Sequence, residues 1–213
     1  MSSSTKGVLG WHFEGVSVPR AERIARAFGD LAPRGNGGIH SMLDVGCGDG
    51  LLATRVGGLV GAQSIRGVDV KAQPNCRIPV SVYDGLTLPF EDAEFDLVTI
   101  SDVLHHTSDP KRVLTEVLRV TKPSGAVLIK DHFRLGPVSN AVLLAMDVIG
   151  NYAQGILVRG TYLAPDEWVD LVAAAGGTID SLKWPFEVHN LPWRVVTRSE
   201  FQFVARVRKA ATP

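Results

Sequence analysis

The chain has 213 residues, 45% hydrophobic and 21% charged, an ordinary globular composition with enough length for one domain with a full core. Its 22 Lys and Arg are balanced by 22 Asp and Glu, which argues against a constitutive nucleic-acid binder, since those carry a basic excess. Cys47 and Cys76 form no metal or redox pattern, the first residues are polar with no apolar signal segment, and the longest apolar run, 141–149, is about half a membrane span and contains Asp147; the expectation is a reduced, cytoplasmic protein that does not span a membrane.

Residues 1–6 are expected to be disordered. Trp11-His12-Phe13 stand between glycines and are a candidate cap over a ligand. Pro19 opens a predicted helix over 19–31, with Ile24, Phe28 and Leu31 on one face. The glycine-rich stretch 33–38 ends it. Residues 1–38 thus form a leader before the first predicted strand, 41–45.

That strand runs into Asp44-Val45-Gly46-Cys47-Gly48-Asp49-Gly50, and a helix is predicted over 51–60. Glycine tolerates positive φ and lets a ligand lie against the backbone. Alternate glycines at a strand-to-helix turn therefore point to a nucleotide-type ligand at the mouth of a parallel sheet. Leu51 stands where a dinucleotide fingerprint has its third glycine. Asp44 would repel a pyrophosphate and attract an ammonium group. S-adenosylmethionine, a sulfonium nucleoside with an amino-acid tail and no phosphate, satisfies both conditions. The motif resembles the first motif of the class I S-adenosylmethionine-dependent methyltransferases. Cys47, inside the loop, is a small packing residue in this reading.

The second strand is predicted over 64–70. Asp69 lies about twenty residues past the loop, a separation that suits an acid accepting from both ribose hydroxyls. The third strand is predicted over 78–83, followed by Asp84-Gly85. The resemblance implies that Asp84 accepts from the adenine amino group and that neighbouring apolar residues flank the ring. The fourth strand, 95–101, is the near-continuous apolar run of a parallel strand. Ser101-Asp102-Val103-Leu104-His105-His106 leads out of it, and Asp109-Pro110 caps the next helix. Val113, Leu114, Val117, Leu118 and Val120 form that helix's apolar face, and Lys122-Pro123-Ser124-Gly125 stops it. The fifth strand is predicted over 126–130, with Asp131-His132-Phe133 at its end. The passage 92–130 resembles the ubiquinone/menaquinone-type branch of the same family.

Residues 134–163 exceed a plain strand-to-helix connection and contain an apolar helix, 139–149, and a polar segment, 151–154. Long connections in compact domains usually carry function, and the resemblance implies an acceptor-side insertion. A helix over 165–175 has the N-terminal signature Ala164-Pro165-Asp166-Glu167 and a Gly176-Gly177 cap. Strands over 178–184 and 201–207 close the chain, joined by a loop with His189 and Trp193. The alternation predicts an α/β, doubly wound, Rossmann-like seven-stranded sheet, mostly parallel with one antiparallel strand, and helices on both faces. One domain over 1–213 is expected.

Methyl transfer from a sulfonium is an in-line displacement with a good leaving group, so positioning and water exclusion supply much of the effect. A base is needed only where the acceptor must lose a proton, and histidine is suited to that near neutral pH. His132 is the leading candidate base, with His105 and Asp131 as further catalytic candidates. His106 and His12 are weaker ones. Asp102, Asp131 and His132 also invite a magnesium site, but a histidine in place of an amide is a poor match and no metal is expected. The expected cofactor contacts are Asp44, Gly46, Cys47, Gly48, Asp69, Val70, Asp84, Gly85 and Ser101. The expected activity is S-adenosylmethionine-dependent methylation of an O, N or C atom of a partly apolar small molecule, in secondary metabolism. The alternative is a cofactor-binding module or cyclase of the same fold that transfers no methyl. A macromolecule methyltransferase would need a different motif after the fourth strand, and a nicotinamide oxidoreductase a different loop.

Overall fold

The computed structural model describes residues 17–33, 38–152, 160–189 and 199–210, without the side chains of Val138 and 146–152. The polar start at 1–6, the candidate cap Trp11-His12-Phe13, the loop glycines 35 and 37, residues 153–154 and Trp193 lie outside the described residues.

Helix α1 (Val18–Leu31) carries Pro19 in its first turn and buries Ala21, Ile24, Ala25, Ala27 and Phe28, an i, i+3, i+4, i+7 stripe. Strand β1 (Ser41–Val45) and helix α2 (Leu51–Val60) flank the glycine turn. Strands β2 (Ser64–Asp69) and β3 (Val80–Val82) follow. Strand β4 (Phe95–Ser101) leads through a 3₁₀ turn (Leu104–His106) to helix α3 (Pro110–Val120). Asp109 caps α3 by accepting from the Arg112 amide at 2.9 Å. Strand β5 (Thr121–His132) is followed by α4 (Pro137–Tyr152) and α5 (Pro165–Ala174). The Glu167 carboxylate accepts the Ala164 amide at 2.6 Å, and Gly176 turns the chain out of α5 at φ +86°. Strand β6 (Gly177–Lys183), a 3₁₀ turn (Ser199–Phe201) and strand β7 (Gln202–Lys209) end the fold.

The seven strands form one sheet in the order β3-β2-β1-β4-β5-β7-β6. All pairings are parallel up to β5, and β7 is antiparallel to both β5 and β6. This is the predicted architecture. Two strand limits differ from expectation. β3 shrinks to three residues because it lies at the sheet edge with one partner strand. β5 begins five residues early, because Thr121 already pairs with Phe95 across a register shift. The stretch Lys122-Pro123-Ser124-Gly125 is therefore strand, and α3 stops before it.

Side chains alternate across the sheet. One face carries Leu43, Val45, Val98, Ile100, Val127 and Ile129 and packs on α3 and α5. The other carries Met42, Leu97, Leu128 and Val204 and packs on α1 and α2. Helices thus cover both faces. The crossover order reverses between β1 and β4, which leaves a crevice at the carboxyl edge of those strands.

Candidate active site

The glycine turn is shaped by its hydrogen bonds. The amides of Gly46 and Cys47 both donate to the Val68 carbonyl, at 2.8 and 3.1 Å, and stitch the turn to β2. The Gly48 amide donates to Oδ2 of Asp69 at 2.9 Å. Gly46, at φ +71°, lies so close to the β4 exit that a Cβ there would stand 2.2 Å from Cγ2 of Val103. Gly48, at φ +55°, would meet nothing within 4 Å. Its open side faces a cavity of about 540 Å³.

Gly46, Gly48, Asp69, Val70, Asp84 and Gly85 all line this cavity. Tyr83 and Leu86 add apolar wall beside Asp84, and Asp102, Val103 and the segment 106–108 close the opposite side. The second Asp69 oxygen accepts from the Lys71 amide at 3.2 Å. Oδ1 of Asp84 accepts from the amides of Leu86 and Thr87 at 2.8 and 2.7 Å, an Asx turn that fixes the exposed carboxylate. Those amide bonds hold its pKa below the usual carboxylate range. Two acids separated by apolar wall, beside a backbone with no side chain, fit a nucleoside with hydroxyl and amino donors. The volume is also that of a small-molecule site.

The remaining three predicted contacts do not line the cavity. Asp44 is buried on the α1 side of the sheet, where Thr99 Oγ1 donates to it at 2.6 Å. Burial pushes its pKa up to about 7. Cys47 is also buried, with its sulfur packed so closely on Gly67 that a Cβ at that glycine would lie 2.5 Å from it. Burial pushes its thiol up to about 12, which makes it an unreactive packing residue. Ser101 donates to Asp102 at 3.0 Å.

On the α1 side the strands turn polar as they reach the carboxyl edge. Met42 gives way to Asp44 on β1, Leu97 to Thr99 and Ser101 on β4, and Leu128 to Lys130 and His132 on β5. Asp102, at φ +55°, sits at the centre of this terrace. It accepts from Lys130 Nζ at 2.5 Å and pairs with Arg20, which reaches over from the first turn of α1. The imidazole Nδ1 of His132 lies 3.4 Å from the same Asp102 oxygen as Lys130. Burial works to raise the Asp102 pKa, but Lys130 and Arg20 hold it well below the usual range. Burial and the Lys130 charge pull His132 down to about 4. Burial, Arg20 and Lys130 do the same to His189. Both rings are therefore neutral at pH 7.

Asp131 points the other way. It is buried, and its Oδ1 takes the His105 Nδ1 at 2.6 Å and the His132 amide at 2.7 Å. Despite burial, His105 and His132 hold its pKa far below the usual carboxylate range. His105 is buried and stacks on Tyr162 at 5.0 Å, and its carbonyl accepts the Thr161 amide at 2.7 Å. His105 and Asp131 thus join the β4 exit, β5 and the return of the insertion. One atom each of Asp102, His105 and His132 lie within 4.8 Å of one another. Because Asp102 already holds two side-chain cations, the charge pattern disfavours a divalent ion there.

Sequence reasoning misses Lys130, Arg20 and Tyr83. The period-2 pattern Leu128-x-Lys130-x-His132 is the available signal for Lys130, since a lysine in line with a buried leucine needs a buried partner. Nothing local marks Arg20, which lies 82 positions from the residue it pairs with. Among the described residues no helix is long and apolar enough to cross a membrane.

A family model described as "Methyltransferase domain" matches residues 43–129. The demethylmenaquinone methyltransferase of Renibacterium salmoninarum is 37% identical over 87 residues, 38% of this chain and 37% of that protein. The chain therefore spans less than two thirds of that relative's length. The ubiquinone biosynthesis O-methyltransferase of Cereibacter sphaeroides is 30% identical over 178 residues, 74% of this chain and 68% of that protein. Among solved structures, a chain from the complex of the Haloferax volcanii Trm112 methyltransferase activator with a methyltransferase shares the fold, with a TM-score of 0.71 at 15% identity. That match covers 97% of this chain and 96% of the other.

Proposed function

The chain belongs to the class I S-adenosylmethionine-dependent methyltransferases, and from that premise we propose that it methylates a small, partly apolar acceptor at a ring hydroxyl oxygen. One observation carries the choice of oxygen: the partly buried imidazole of His132 has its Nδ1 3.4 Å from the Asp102 carboxylate that lines the cavity, in surroundings that lower its pKa to about 4. An oxygen acceptor must lose a proton, and a neutral imidazole can take it. The likeness to a ubiquinone biosynthesis O-methyltransferase supports the same choice.

When bound, the cofactor supplies an electrophilic methyl group on a good leaving group. Asp69 would hold the ribose hydroxyls with the lone pairs its two amide bonds leave. Asp84 would meet the adenine amino group with Oδ2, and Tyr83 and Leu86 would flank the ring. Gly46 and Gly48 let the nucleoside lie against the backbone. Asp44, Cys47 and Ser101 act from behind, by fixing the turn and the β4 exit. His105 and Asp131 orient the strand end that carries His132, and the insertion 134–163 closes the acceptor side. The chain acts as one domain, in the cytoplasm, in a pathway of secondary metabolism.

The purified chain, incubated with tritiated methyl donor and a panel of catechols, phenols and demethylated quinone precursors, should form labelled product and S-adenosylhomocysteine. Cofactor binding with no turnover on any acceptor would point to a cofactor-holding module or cyclase instead.

A further inference from the structure

The face of the sheet that packs on α3 and α5 holds a second cavity, of about 110 Å³, between α5 and strands β5, β7 and β6. It shares no lining residue with the cavity beside the glycine turn. The inward side chains of β7 run Phe203, Ala205, Val207 and all line it. The short alanine between two large neighbours leaves space that Ile129 of β5 and Val172 of α5 do not fill. An aromatic corner forms one wall. Phe133 stacks on Phe203 at 4.1 Å, and Trp168 meets Phe203 edge-on at 5.0 Å. The indole N–H of Trp168 donates to the His132 carbonyl at 3.2 Å, so no lining side chain offers an open hydrogen-bonding group. The cavity also has an entrance. β6 pairs with β7 through an irregularity between Ile179 and Ser181. Ile179 and Leu182, three positions apart, therefore line the same cavity, whereas a regular strand would point them to opposite faces. Leu182 is 49% exposed and Val169 of α5 is 55% exposed. Trp184, 45% exposed, meets the Phe133 ring edge-on at 5.7 Å. Three exposed large hydrophobics thus gather at one place, which marks a binding surface more than scattered exposure does.

We propose that this cavity is a second binding site, for a small uncharged apolar molecule of the size and class of a single aromatic ring. The class follows from the walls. A charged or hydrogen-bonding ligand would lose its water there and gain no partner. Water itself lacks the two to four polar contacts that hold it in an interior. An apolar cavity of about 150 Å³ stays dry and takes up benzene; at about 110 Å³ this one admits one ring and excludes fused rings. The entrance is apolar too, so such a molecule meets no charged rim at Val169 or Leu182. Once inside, it rests on Trp168, whose indole holds the end of β5 at His132. The site goes beyond methyl transfer and does not depend on it.

The test titrates the full chain with benzene and with pyridine, a ring of the same size that carries one hydrogen-bond acceptor, with and without S-adenosylhomocysteine. Calorimetry should show one benzene per chain, bound at least about tenfold more tightly than pyridine, and benzene should raise the melting temperature. S-adenosylhomocysteine should leave the benzene affinity unchanged. Ala205→Leu, which fills the space, should abolish benzene binding. Should that variant not fold, Val169→Asp, at an exposed position of the entrance, should weaken benzene binding at least about threefold. Absence of benzene binding, equal binding of pyridine, competition with S-adenosylhomocysteine, or unchanged benzene affinity in whichever of the two variants folds overturns the site. None of these results involves transfer of a methyl group, so the methyltransferase reading stands or falls separately.

Discussion

Oδ2 of Asp69 accepts a hydrogen bond from the Gly48 amide at 2.9 Å, which ties the end of β2 to the centre of the glycine turn. One carboxylate therefore shapes the turn and lines the cavity beside it. Asp69→Ala should weaken S-adenosylmethionine binding by about 1.5–3 kcal/mol, roughly 10- to 100-fold in Kd. Calorimetric titration checks this, and unchanged affinity would remove Asp69 from the cofactor site.

The two loop glycines should separate stability from binding. A methyl group at Gly46 would meet Val103 at 2.2 Å in a left-handed backbone conformation, so Gly46→Ala should destabilise by roughly 2–5 kcal/mol. Gly48→Ala meets no neighbour and carries only the backbone penalty, about 1–2 kcal/mol. Its methyl group would project at the cavity, so cofactor affinity should fall more than stability does. Urea unfolding and calorimetry on both variants would show whether the two effects part in this way.

Asp44 and His132 should act oppositely on stability between about pH 4 and pH 7. The folded state raises the Asp44 pKa from 3.8 to about 7, so it binds that proton more tightly than the unfolded chain. Stability from this group falls as pH rises through the window, by on the order of 4 kcal/mol in total. The folded state lowers His132 from 6.5 to about 4, so stability from His132 is lost as pH falls below 6.5, by on the order of 3 kcal/mol. Asp44→Asn should therefore leave a chain whose stability rises with pH across this range. His132→Gln should leave one whose stability rises less with pH than that of the parent chain, because His189, lowered to about 4 as well, still supplies a rise that offsets Asp44. Identical slopes in the two variants would contradict both assignments.

Turnover tests the base. His132→Ala should slow kcat by about 10²- to 10⁴-fold, the usual worth of a positioned base, with S-adenosylmethionine affinity intact. Steady-state kinetics with the acceptor found in the panel, set beside cofactor titration, distinguishes this from collapse of the site. A normal rate would remove His132 as base.

Much of the candidate site is visible in the chain because the residues that line its cavity lie at strand ends close to the glycine turn. Gly46 and Gly48 are adjacent to a predicted strand end, Asp69 ends the second strand and Asp84 follows the third, so parallel order alone brings them to one edge. The polar strand ends on the α1 side are less visible. Asp44 stands beside the turn in sequence, yet the pleat sends its side chain under the sheet to Thr99. His105 and His132 both follow strand ends and look alike as candidates, but His105 is packed against Tyr162 behind Asp131, whereas His132 approaches Asp102.

Local signals in the chain were enough for the order of strands and helices, the glycine turn and the acids that follow it, because hydrophobic period, caps and turn residues act over a few positions. Which side of the sheet each polar strand end faces, and which distant helix covers it, emerged from the packed fold alone. Arg20 meets Asp102 because α1 docks on the sheet through Ile24 and Phe28. No local pattern encodes a contact between residues 82 positions apart, since it arises only when both faces of the sheet have been buried.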